Sequence, residues 1–363
     1  MTVVHICKYY YDSSVHRNLI NNLSHHHNKK VKVLIGSHES ENETKENVFY
    51  CKYSSILRFF LLFRTLRVFY FSLRKSIFND AKLVFCHTLV VDGALGFLAK
   101  IFFNTPYVIQ VRNTDINFYY KRFPFYRPFF NLILKNASSV GFVSKSNMSS
   151  FYALKGVANN VKQAHLWPNG VHDFWLEKGN NLPSDLASKR NHLSFLYVGR
   201  FNENKNLRNL AFAHEQLLSL GYDVSITYVG GSIEDFERCT GFSASELKNS
   251  TIIGRLDMKS LSEIYSQSTC LVVPSFFETF GLVYIESLSR NCPVICSIGQ
   301  GIYGLFPECK SIKFVSPDSV ESICEQMLFF IKNDLTMSDF PNLENFRWNY
   351  ISETIYCDLK RFL

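Results

Sequence analysis

The sequence has 363 residues, 47% apolar and 19% charged, with a formal net charge of +8. That length exceeds what one hydrophobic core usually fills, so two domains are expected, and the composition excludes a long polar tract that would stay disordered. The ten cysteines form no CxxC pair of the kind that binds zinc or does redox chemistry, so they read as small buried hydrophobes. The opening MTVVHICKYYYD lacks a basic stretch followed by an apolar one, which predicts a cytosolic chain with reduced thiols. The positive charge suits an anionic membrane or phosphorylated substrates. Nucleic acid is not expected, because no recognised reading motif accompanies the basic residues.

In chain order, short apolar β-branched runs at 3–7, 31–35, 83–86, 107–111 and 139–143 alternate with amphipathic stretches. That is the pattern of βαβ units and a parallel sheet. The triplet His25-His26-His27 reads as a loop after a helix rather than a metal site. Residues 52–75, KYSSILRFFLLFRTLRVFYFSLRK, contain no acidic side chain, and their arginines interrupt what would otherwise be a spanning segment. On a helical wheel Arg64, Arg67, Arg74 and Lys75 fall within an arc of roughly 100°, with Phe and Leu over much of the rest. This predicts an interfacial helix drawn to anionic lipid, joined by Tyr119, Lys121, Arg122 and Arg127.

After Trp167-Pro168-Asn169-Gly170 the text turns polar, which predicts an N-terminal domain over 1–175 and a linker over 176–192. A second domain over 193–340 repeats the grammar: strands at 193–198, 224–229, 251–253, 270–273 and 294–296, with helices at 206–220, 261–266 and 281–289. Residues 341–363 read as a closing amphipathic helix with Trp348, Ile351, Ile355, Tyr356 and Leu359 near one face.

Open parallel α/β sheets bind ligands outside the carboxyl ends of their strands, so the loops there are the ones to inspect. In GRFNENKN, Gly199 ends a strand and Arg200 and Lys205 stand close enough to reach one anion, a pairing suited to a departing diphosphate. In PSFFETFGL, Phe280, Gly281 and Leu282 lead into a helix start whose free N–H groups suit a phosphate, with Gly281 allowing close approach. Glu278 and Glu286 would repel that phosphate and fit better as acceptors for sugar or ribose hydroxyls. Gly254 and Arg255 lie where a nucleotide base could rest. A solvated basic loop and solvated helix-surface glutamates are the plainer readings of the same residues.

The stretches GRFNENKN and IIGRLDMKSLSEIYSQSTCLVVPSFFETFGLVYIESLSRNCPVI closely resemble the C-terminal domain of glycosyltransferase family 4. The family's E-x7-E pattern falls on Glu278 and Glu286, and its basic pair on Arg200 and Lys205. The resemblance implies an α/β GT-B fold: two Rossmann-like doubly wound domains facing across a cleft, with the C-terminal helix crossing back to the first. It implies retaining transfer from a nucleoside-diphosphate sugar with no cofactor and no metal. Arg200, Lys205 and Glu278 would be catalytic, and Gly199, Gly254, Arg255, Phe280, Gly281, Leu282 and Glu286 would join them in binding the donor. No Asp-x-Asp motif is present to hold a divalent ion.

The N-terminal half matches at Cys86-His87, Asp92-Gly93, Val143-Ser144 and Pro168 to Val171, and residues 42–82 lie outside the resemblance. A His-Gly-x-Asp segment of many relatives corresponds to Arg112-Asn113-Thr114-Asp115, so the imidazole is absent. His87, Arg112, Asn113 and Asp115 are the acceptor-side candidates, although a histidine at a strand end is more often structural. The expected partners are a nucleotide sugar, a glycan or lipid-linked glycan acceptor and the anionic inner face of the cell membrane, in surface polysaccharide biosynthesis. Two alternatives stay open: a non-catalytic nucleotide-sugar or partner-binding relative, and a sugar-nucleotide epimerase of the same fold.

Overall fold

The computed structural model describes residues 2–26, 30–39, 46–177, 193–243 and 245–362. Most of the expected linker, and His27 of the histidine triplet, lie outside the described residues. By its internal contacts the chain divides into unit 1, residues 1–170 with 346–363, and unit 2, residues 171–345.

Among the described residues, unit 1 holds a seven-stranded, all-parallel sheet in the order β3-β2-β1-β4-β5-β6-β7. Its strands are β1 Thr2–Ile6, β2 Lys30–Ser37, β3 Val48–Lys52, β4 Ala81–Cys86, β5 Tyr107–Val111, β6 Ser139–Phe142 and β7 Ala164–Leu166. Every residue of β1 and β5 is buried, as a strand covered on both faces by helices requires. The covering helices are α1 Ser14–His26, α2 Leu61–Arg74, α3 Val91–Phe103, α4 Arg127–Asn136 and α5 Lys145–Tyr152. Residues Thr114–Tyr120 form a π-helical stretch, an uncommon geometry that recurs at functional sites.

Unit 2 repeats the winding among its described residues. Six parallel strands run in the order β10-β9-β8-β11-β12-β13, which matches the first six of unit 1. They are β8 Leu193–Val198, β9 Val224–Val229, β10 Ser250–Ile253, β11 Cys270–Val273, β12 Val294–Ser297 and β13 Ile312–Val315. The helices of unit 2 are α6 Leu207–Ser219, α7 Ile233–Thr240, α8 Met258–Gln267, α9 Leu282–Leu288 and α10 Val320–Lys332. The last helix, α11 Trp348–Leu359, belongs to unit 1 and packs on α1.

Strands β3, β7 and β13 are absent from the sequence reading, and all three are sheet edges in which half or more of the residues are not fully buried. An edge strand needs no continuous apolar run, so its signal is weak.

Helix α2 departs from its expected orientation. Arg64 does not share a solvated arc with Arg67, Arg74 and Lys75. It is 4% exposed on the buried stripe Leu61, Arg64, Thr65, Val68, Phe69 and Ser72. Its guanidinium lies beside the Tyr53 and Tyr119 hydroxyls, which burial pushes up and Arg64 pulls down. The outward side instead carries Leu62, Phe63, Leu66, Tyr70 and Leu73, each 40–62% exposed, mixed with exposed Arg67 and Arg74. A wheel groups Arg64 with the other cations by angle alone, and the buried stem and neighbouring hydroxyls that let this arginine sit inside are long-range contacts.

Candidate functional site

Four of the unit 2 positions singled out by motif stand on loops leaving the carboxyl ends of β8 and β11 or on the helix that follows. Strand β8 ends at Val198, and beyond it Arg200 is exposed while Lys205 closes a short 3-10 turn, Glu203–Lys205. Strand β11 ends at Val273, and the next loop carries Glu278. The two loops are laced together. Asn204 Nδ2 donates to Phe277 O at 2.9 Å, and Phe277 N donates back to Asn204 Oδ1 at 3.0 Å. Asn206, left-handed at φ 58°, opens α6 and sends its amide to Pro274 O at 3.1 Å and Pro317 O at 2.7 Å. Short amides that give and accept at once hold both loops rigid, and Asn tolerates the left-handed backbone.

This lacing brings Lys205 Nζ within 2.6 Å of Glu278 Oε2, both side chains largely covered. The other carboxylate oxygen accepts from Thr279 N at 3.0 Å, and Glu278 N donates to Gln300 Oε1 at 3.0 Å. Gly281, at φ 77°, opens α9, and a Cβ there would come within 2.3 Å of the Tyr284 ring. That glycine is therefore required by sterics as well as by backbone. Helix α9 has seven residues, so its dipole contributes less to anion binding than the sequence reading assumed. Phe280 is buried and Leu282 half-buried beside it.

Glu286 lies further along α9, half-buried, its carboxyl pushed up to about 7 by burial while the neighbouring Tyr265 hydroxyl opposes the shift. It is therefore not a fully ionised acceptor at neutral pH, which modifies the role read from the sequence. Gly199 follows β8, where a Cβ on Gly230 would lie 2.3 Å from Gly199 O, so those two backbones approach closely. Gly254 and Arg255 are exposed just beyond β10. Arg290, unmarked in the sequence, is buried and structural: Nη1 and Nη2 donate to Trp175 O and Phe174 O at 3.0 and 2.9 Å, and Nε donates to Ser262 Oγ at 2.6 Å.

The acceptor-side candidates lie in unit 1. Arg112 Nη1 donates to Asn169 Oδ1 at 3.0 Å, and Nη2 donates to Gln110 Oε1 at 2.8 Å. Asp115 is buried and accepts from the backbone N–H groups of Arg112, Leu89 and Val90 at 2.9, 3.1 and 3.3 Å. Burial nonetheless pushes it up to about 6. With three backbone donors already on its two oxygens, it organises the loops after β4 and β5 and is poorly placed to accept a substrate hydroxyl. Asn113 is held by Asn117 through the side-chain amides. His87 is fully buried between His5 and His16, with its ring nitrogens 3.1 and 3.0 Å from theirs. Sequence reasoning missed His5 and His16, and gave no role to the buried Asp92, whose carboxyl burial pushes up to about 7. The available signal was a histidine in the first turn of an expected helix, too common a feature to single out.

Residues 180–345 match the family of glycosyl transferases group 1. The chain is 27% identical over 232 residues to the sulfoquinovosyl transferase SQD2 of Arabidopsis thaliana, covering 61% of this chain and 43% of that protein. It is 24% identical over 170 residues to the O-antigen chain mannosyltransferase B of Escherichia coli, covering 44% of each. It spans between 28% and 59% of the length of the curated relatives it matches. Its fold is similar to that of the E. coli trehalose-6-phosphate structure bound with UDP-2-fluoro glucose, with a TM-score of 0.71, 14% identity and full coverage of both chains. The two parallel sheets with their helices are the GT-B architecture.

Proposed function

We propose, from the match of residues 180–345 to glycosyl transferases group 1, that the chain moves a sugar from a nucleoside-diphosphate sugar to a glycan acceptor with retention of anomeric configuration. The observation that carries this reading is the Lys205–Glu278 contact at 2.6 Å, made by two loops at the carboxyl edge of one sheet. In the resting site Glu278 occupies the ammonium. A donor diphosphate competes for Lys205 as a stronger anion, and Glu278, released, accepts from a sugar hydroxyl. Arg200, exposed earlier on the same loop as Lys205, adds a second cation. The bond from the sugar's anomeric carbon to the diphosphate oxygen breaks, and these cations stabilise the charge left on that oxygen. The acceptor oxygen attacks from the same face, and its proton passes to the departing diphosphate. No protein nucleophile takes part.

The donor to try first carries uridine diphosphate, because a structural neighbour of the same fold is bound to a UDP-sugar analogue. The O-antigen mannosyltransferase among the relatives supports a polysaccharide or lipid-linked acceptor. The outward face of α2 supports a peripheral site on an anionic membrane: exposed Phe, Leu and Tyr side chains sit among Arg67, Arg74 and Lys75 with no carboxylate from 52 to 75. Among the described residues no helix is long and apolar enough to cross a membrane.

The deciding experiment measures nucleoside diphosphate release across candidate nucleotide sugars for the wild type and Glu278→Ala. Release by the wild type that Glu278→Ala abolishes supports transfer. Tight binding without release would favour a nucleotide-sugar binder, and a donor isomer appearing as product would favour an epimerase.

A further inference from the structure

Another concentration of chemistry lies in unit 1. Cys7 follows β1 and His87 follows β4, at the carboxyl ends of two adjacent central strands, and His16 stands in the first turn of α1. All three are buried, and one ligand atom from each lies within 4.8 Å of the other two. We propose that Cys7 Sγ, His16 Nδ1 and His87 Nδ1 bind one thiophilic divalent ion of the zinc class, with the fourth position left to solvent.

Proton counting is the main argument. An imidazole nitrogen carries either a hydrogen or a single lone pair. His16 Nδ1 faces two groups at once, His87 Nδ1 at 3.0 Å and Arg112 Nη2, purely a donor, at 3.4 Å. If His16 Nδ1 is bare, its one lone pair meets two N–H groups. If it is protonated, it points a hydrogen at a guanidinium hydrogen. In neither tautomer are both contacts satisfied. An ion shared by the two Nδ1 atoms resolves the contact between the two rings by sending each ring proton to Nε2, and leaves the Arg112 contact unmade. His87 Nε2, 3.1 Å from His5 Nδ1, then donates to His5, which is the outer hydrogen bond that orients a metal-bound histidine. Arg112 keeps Gln110 and Asn169.

The donor set fits the ion. One thiolate with two imidazoles selects zinc-like ions over calcium or magnesium, and three protein ligands leave the fourth tetrahedral position open. The Arg112 guanidinium, 3.4 Å from His16 Nδ1, opposes the ion. Occupied, the site ties the start of α1 to the two central strands. It lies within unit 1 and does not depend on the transferase reading.

The test is metal binding by the full chain. Expected are one Zn2+ retained per chain after gel filtration and, with Co2+ as a probe, a thiolate-to-cobalt charge-transfer band with tetrahedral intensity. Cys7→Ser, nearly isosteric, should remove the band while circular dichroism is unchanged. His5→Phe should weaken binding by roughly ten- to a hundredfold, as loss of an outer hydrogen-bond partner does. Arg112→Gln should tighten it. Should His87→Gln fail to fold, the wild-type stoichiometry and Cys7→Ser still decide. Retention of no ion by the wild type, or a band that persists in Cys7→Ser, overturns the proposal.

Discussion

Lys205 and Glu278 lie 73 positions apart in sequence and touch only because Asn204 and Asn206 pin their two loops together. The pair is partly exposed, so its contribution to stability is modest while its value to an incoming anion is large. Lys205→Met should therefore lower sugar transfer by roughly 10²- to 10³-fold, the loss seen when one donor to a developing anion is removed. Unfolding stability should fall by only about 1–2 kcal/mol. Steady-state kinetics beside a thermal melt separates the two effects, and a large stability loss with kinetics intact would contradict the assignment.

Glu286 supplies a pH dependence with a definite sign. Its folded carboxyl titrates at about 7 against an ordinary value of 4.5, so the native state holds an extra proton between those limits. The stability this contributes is complete below the ordinary value and is lost as pH rises through about 7. Glu286→Gln should accordingly melt higher than wild type above about pH 7, with the difference vanishing below the ordinary carboxylate range. A hydroxyl donated by the sugar nucleotide favours the ionised form, so donor affinity in the wild type should weaken from pH 8 towards pH 6, by roughly one titrating group. Calorimetric titration of donor at several pH values checks this, and an equally steep profile in Glu286→Gln would remove Glu286 from the donor contacts.

At the scale of elements, α2 is where the sequence and the folded chain part company. Its Arg64 is inside and its Leu62, Phe63, Leu66 and Tyr70 are outside. Phe63→Ser, Leu66→Ser and Tyr70→Ser together should abolish sedimentation with phosphatidylglycerol vesicles while leaving the melt near wild type, because the removed surface is apolar and already exposed. Arg64→Ser should behave in the opposite way, lowering the melt and leaving vesicle binding unchanged, since it strips a buried cation from the Tyr53 and Tyr119 hydroxyls. Strands β1, β4, β5, β8, β9 and β11 were legible as short runs rich in apolar and β-branched residues, as the central strands of a parallel sheet covered by helices require. The edges β3, β7 and β13 were not, for want of that cover. The loops of the donor site were legible because they directly follow legible strands. The facing of α2 and the histidine cluster around His87 were not, since both depend on which long-range neighbours a side chain meets.

At the scale of the whole molecule, the chain leaves unit 1 at residue 170 and returns to it at 346. The return is a core contribution rather than an appendage. Trp348, Ile351, Ile355 and Leu359 of α11 join Val3, Leu19, Leu83, Phe85, Val108 and Trp167 in one buried cluster. Polar ties fix its register: Trp167 Nε1 donates to Asp358 Oδ2 at 2.8 Å, and His165 Nδ1 lies 3.0 Å from the same oxygen. Two glycines make room for the tryptophans. A Cβ on Gly141 would fall 1.9 Å from the Trp167 ring, and one on Gly170 would fall 2.6 Å from the Trp348 ring. Neither ring has a flexible end that could give way, so both positions exclude a side chain. Ile355→Ala should destabilise unit 1 by about 2–5 kcal/mol, the range for emptying a buried aliphatic site. Gly170→Ala should do so by about 1–3 kcal/mol through overpacking at a ring that cannot yield. In both variants the loss should appear as faster amide hydrogen exchange in β1, β4, β5 and α1, the elements that α11 and Trp167 cover. If α11 were merely resting on the surface, Ile355→Ala would leave exchange in those central strands at the wild-type rate, because fraying of a terminal helix does not open the sheet beneath it.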